Sequence, residues 1–134
     1  MANGKFGGGD GTVNNPYLVE DMADLLAING INIGTNVKRY YLQTADIDLS
    51  EYTQSNFPTL KVCLAGTNTT GFIYDGGGYK ILNLTQLLDG SSTADFGLFE
   101  ICGVDSYSYT NREKAAEVVF KNINLINVNL SGAS

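Results

Sequence analysis

The chain has 134 residues, 43% of them hydrophobic and 16% charged, with 16 glycines, two prolines, no histidine and a formal net charge of −6. Without histidine every mechanism built on imidazole falls away, from Ser/His/Asp triads to histidine-ligated zinc. A pI near 4.3 sets the whole-molecule field against phosphate backbones, so nucleic acid is not an expected partner.

The aliphatic content is too high for disorder and suffices for one core, so a single domain spanning 1–134 is expected. Abundant glycine and few charges lean all-β. No apolar run approaches membrane-spanning length, so no membrane insertion is expected. Residues 1–5 carry no signal-peptide pattern: either the chain is not Sec-exported or its export signal was removed.

In chain order, 1–16 read as a glycine-rich lead-in that tightens at Asn15-Pro16, and Tyr17-Leu18-Val19 as a first strand. Over 20–28 the period changes. Met22, Leu25 and Leu26 fall at i, i+3 and i+4 with acids in the first turn, which predicts a short amphipathic helix ending near Asn29-Gly30. Its one-sided apolar face suits a cap over an exposed strand edge, or a lateral packing element. Residues 31–36 read as a polar connection. Strands follow at Tyr40 to Gln43, Ile47 to Leu49 and Thr59 to Leu64.

The stretch from Gly71 to Leu84 is a glycine turn between two alternating apolar runs, with Phe72 and Tyr74 on one face and Ile73 on the other. The turn Asp75-Gly76-Gly77-Gly78 fits either a tight hairpin or a chain that bends and continues. Leu87 to Thr93 reads as a turn cluster, Phe96 to Cys102 as a strand, and 105–117 as a protruding loop. In the last run Asn122, Asn124, Asn127 and Asn129 punctuate apolar residues, as turn or ladder asparagines do.

The phrases Tyr41 to Ser50, Gly71 to Leu84, Phe96-Gly97-Leu98-Phe99 and Phe120 to Leu125, in that order, resemble the opening of right-handed parallel β-helix proteins. They are similar to bacterial surface and phage proteins with the glycine-rich GLUG motif. The resemblance implies an all-β, right-handed parallel β-helix (solenoid) segment with one short N-terminal capping α-helix. In it 17–30 form the first strand and cap and 31–134 the solenoid, as the N-terminal part of a longer protein. It also implies a non-catalytic structural or attachment module of a phage virion, such as a tail fibre, spike or appendage. A bacterial secreted cell-surface adhesin and a polysaccharide-degrading β-helix enzyme are the alternatives. The expected placement is the virion, or the extracellular space and cell surface. Expected partners are a host-surface glycan or protein and other virion proteins, with a homotrimer as one assembly.

No residue is expected to be catalytic and no cofactor is implied. Asp46 and Asp48 would share one strand face roughly 6.5–7 Å apart, a carboxylate spacing seen in inverting glycosidases, but Ile47 and Leu49 mark the inward face, so both acids face water. Asp75, Asp89, Asp95 and Asp105 could converge on calcium, yet each sits where a turn favours aspartate. Tyr107, Tyr109 and Asn111 are the candidate ligand or partner contacts, since tyrosine and asparagine together stack on and hydrogen-bond to sugars or proteins. Cys63 and Cys102 lie in apolar runs. They read as buried free thiols, with a bridge open if their strands align.

Overall fold

The computed structural model describes residues 6–52, 57–65, 69–88, 97–102 and 116–132. β1 (Tyr17–Val19) leads through α1 (Met22–Leu26) to β2 (Ile31–Ile33), β3 (Lys38–Gln43) and β4 (Ile47–Asp48). A 3-10 turn at Leu49–Glu51 precedes β5 (Leu60–Leu64), β6 (Gly71–Asp75), β7 (Lys80–Leu82) and β8 (Thr85–Leu88). Then come β9 (Phe99–Cys102), β10 (Glu117–Lys121), β11 (Asn124–Ile126) and β12 (Asn129–Gly132).

Among the described residues these strands form four short sheets, ordered β1-β3-β6-β10, β4-β7-β11, β2-β5-β9 and β8-β12. Every pairing between named strands is parallel. Among the described residues the protein is thus mostly strands with one α-helix, as its composition and the change of period over 20–28 implied.

The expected right-handed parallel β-helix is not borne out. Among the described residues the sheets hold between two and four strands, and no closed coil of a single hand runs through them. One physical reason is the spacing: the four strands of the largest sheet begin at residues 17, 38, 71 and 117, so each return to it takes a longer segment than the last. Similar phrases supply the chemistry of parallel strands, but unequal connections do not wind one uniform coil.

Alternation places the core. In β5, Leu60, Val62 and Leu64 are buried and Lys61 is exposed. In β6, Phe72 and Tyr74 join the main core while Ile73 is buried outside that cluster, as the alternation predicted. Tyr17, Tyr41, Phe72 and Phe99 carry ring-to-ring contact from one strand to the next, with centroids 5.3–5.8 Å apart.

The glycine turn is a corner, not a hairpin. Tyr79 N–H closes it on the Gly76 carbonyl at 3.0 Å, and the chain passes into a different sheet. Gly77 and Gly78 have φ of 63° and 83°, and a Cβ on Gly76 would run into the Asn122 carbonyl, so the turn needs glycine on both counts.

Two readings are corrected. Residues 31–36 include β2, whose Ile31 and Ile33 pair with Val62 and Leu64, and β8 occupies ground read partly as a turn cluster. The helix forms where its period placed it. Asp21 caps it by accepting Asp24 N–H at 2.9 Å, and Leu25 is fully buried, with α1 against β1.

Candidate functional site: an asparagine-lined cleft

The corners of the β4-β7-β11 sheet stack polar side chains in line. Asn83 and Asn127 follow β7 and β11 with φ of 66° and 58°, the left-handed region asparagine tolerates better than most residues. Asn127 Nδ2 donates to Asn83 Oδ1 at 2.6 Å, and Asn83 Nδ2 donates to Asp48 Oδ1 at 2.8 Å. A second, shorter ladder runs from Asn122, φ 56°, to Asp75 Oδ1 at 2.9 Å. Asn122 and Asn127 are therefore ladder residues, as the sequence suggested. Asn124 and Asn129 instead open β11 and β12.

Beside the longer ladder lies a cleft of about 430 Å³ lined by Leu49, Ser50, Tyr52, Phe57, Asn83, Thr85, Asn127 and Asn129. Tyr52 packs edge-on against buried Phe57, with ring centroids 5.2 Å apart. Amides, hydroxyls and a phenol beside an aromatic pair suit an uncharged, polyhydroxylated ligand. Sequence reasoning missed this cleft. Its one legible signal was the Asn that follows a short apolar run both at 83 and at 127.

Three acids of the sequence reading, Asp46, Asp48 and Asp75, are occupied. Asp46 Oδ1 accepts Lys80 N–H at 2.8 Å, and Asp48 Oδ1 accepts Ser50 N–H at 2.9 Å as well as the Asn83 amide. Those bonds, the Asn83 amide first, hold the Asp48 carboxyl below its ordinary value. A glycosidase general acid needs the opposite shift. Asp75 Oδ1 accepts Gly77 N–H at 2.8 Å besides Asn122. Tyr107, Tyr109 and Asn111 lie outside the described residues, as do Asp89, Asp95 and Asp105.

Cys63 and Cys102 are not free thiols: they form a disulfide. They are register partners on β5 and β9 with Cα atoms 4.5 Å apart, so parallel pairing alone brings them within bridging reach.

The chain is 40% identical over 91 residues, 68% of its length, to Halomucin from Haloquadratum walsbyi (strain DSM 16790 / HBSQ001). It spans about 1% of the length of that relative. No family model matches the chain, and no solved structure matches it significantly.

Proposed function

We propose that this chain is a non-catalytic structural and adhesive segment of a cell-surface or extracellular protein. The observation that carries the reading is the Cys63–Cys102 disulfide across two register-paired strands, because such bridges persist in oxidising compartments and are rare in reducing ones. The similarity to Halomucin supports the same placement, and of the alternatives read from the sequence it favours the cell-surface adhesin. In this reading the stacked strands are the scaffold and the asparagine-lined cleft is the adhesive element, taking a neutral glycan.

The test is to label intact cells with an antibody to the chain and to alkylate thiols before any reduction. Surface labelling with both cysteines protected from alkylation is expected. Intracellular protein with both cysteines alkylated overturns the placement. For the cleft, Tyr52→Ala should abolish any hit on an array of neutral glycans, and equal binding by the variant removes the cleft from the reading.

A further inference from the structure

We infer that β10 is a self-complementary edge through which two copies of this chain pair about a two-fold axis. β10 is the last strand of its sheet, and nothing else among the described residues pairs with its outer side. On its inner side Glu117 N–H donates to the Thr70 carbonyl and the Lys121 carbonyl accepts Gly76 N–H, both at 2.9 Å. Backbone direction alternates along a strand, so residues 117, 119 and 121 address β6 while Val118 and Phe120 turn their N–H and C=O groups outward.

Antiparallel pairing of this edge with its own copy, centred on Val119, uses those outward groups. Val118 sets against the partner's Phe120 as a doubly hydrogen-bonded pair, and the axis generates the same pair again. The same register sets Glu117 opposite the partner's Lys121 in the close, non-hydrogen-bonded position, giving two Glu–Lys pairs. Shifting the axis by one residue either way loses this match. Glu117 already meets Lys38 at 3.3 Å, so Lys121 joins an existing pair.

The apolar surface at this end agrees. Phe120 is 40% exposed, and Leu98, Phe99, Phe120, Ile123 and Leu125 line a wholly apolar hollow of about 260 Å³. Head-to-tail stacking is disfavoured because the outer side of β1 is already taken: Gly7 N–H donates to the Leu18 carbonyl and Leu18 N–H to the Gly8 carbonyl. The occupant is therefore the same edge of a second copy, which also removes the aggregation hazard of an open strand.

Sedimentation equilibrium over a concentration series tests this, with a reversible dimer of the 14.4 kDa chain expected. Glu117→Lys and Lys121→Glu each set like charges opposite one another twice and should weaken the dimer about tenfold or more. The double exchange Glu117→Lys with Lys121→Glu restores opposite pairs and should recover it, which a variant that merely misfolds does not do. A monomer at every concentration, a trimer, a dimer indifferent to the single exchanges, or a double exchange no tighter than the single ones overturns the inference.

Discussion

Tyr74 Oη donates to Gln43 Oε1 at 2.9 Å, joining neighbouring strands β6 and β3 through two side chains that are 0% and 1% exposed. The other end of the Gln43 amide is also used: Nε2 donates to the carbonyls of Ala45 and Lys80 at 2.9 and 3.0 Å. Tyr74→Phe leaves Oε1 buried without this donor and should cost about 1–3 kcal/mol in denaturant unfolding. Burial pushes the Tyr74 phenol well above its ordinary value of 10.0. The unfolded chain therefore releases this proton near pH 10 while the folded chain keeps it. The stabilisation is complete below that pH and falls as pH climbs past it. Tyr74→Phe should flatten the alkaline decline in stability, leaving a residual slope from Tyr41, which burial also raises. An unchanged slope would show that Tyr74 is not the group responsible.

The disulfide spans 39 residues of sequence and ties β5 to β9. Closing a segment of that length in the unfolded chain stabilises the fold by about 2–4 kcal/mol. A Cys63→Ala, Cys102→Ala chain should show a lower urea midpoint, and reductant should lower the parent's midpoint while leaving the variant's alone. Coincident curves for parent and variant would mean that the bridge adds no stability.

What the sequence disclosed depended on how local the signal was. Alternation in Leu60 to Leu64 and Gly71 to Asp75 placed two strands and their inward faces, and the switch of period at Met22, Leu25 and Leu26 placed the helix. Strand β2 escaped because Ile-Asn-Ile beside a glycine is as good a loop as a strand until Val62 and Leu64 lie alongside it. The disulfide escaped for the same reason: nothing near Cys63 reveals that Cys102 is its register partner. The single-handed coil was over-read from recurring phrases whose spacing grows along the chain. At the cleft, the left-handed asparagines were half visible as corner residues, but Tyr52 and Phe57 come from a segment with no distinctive pattern and meet the ladder only in three dimensions.

Asn83 carries two separable duties, a left-handed corner at φ 66° and the middle position of the ladder. Asn83→Gly keeps the corner and loses the amide, so its cost should stay near about 1 kcal/mol. Asn83→Ala loses both and should cost about 1–2 kcal/mol more for the backbone. In either variant the Asp48 carboxyl should climb back toward its ordinary value of 3.8, read by NMR titration, because the Asn83 amide is the largest cause of its depression. The native contribution of Asp48 is thus present above that pH and is lost as pH falls through the depressed value. Equal melting temperatures for the glycine and alanine variants would remove the conformational half of the account.

Asp24 is fully buried at the start of α1, yet its carboxylate pairs with no cation among the described residues. It is held instead by backbone donors: Oδ1 accepts Phe6 N–H at 2.9 Å and Oδ2 accepts Glu20 N–H at 3.0 Å. With Asp21 accepting Asp24 N–H, the helix start and the lead-in segment are tied through one side chain; a capping box would return the bond to the N–H of Asp21 itself, whereas here the donors are Glu20 and Phe6. Asp24→Asn keeps the shape but offers only one acceptor oxygen, so one N–H loses its bond and meets an amide donor. The cost should be about 1–3 kcal/mol. Hydrogen exchange separates this from a general weakening: the Phe6 and Glu20 amides should speed up far more than those of β6, whose ladder partners are β3 and β10 and not the helix start. Uniform acceleration across all three would mean that Asp24 supports the fold as a whole and does not fasten the lead-in segment to the helix.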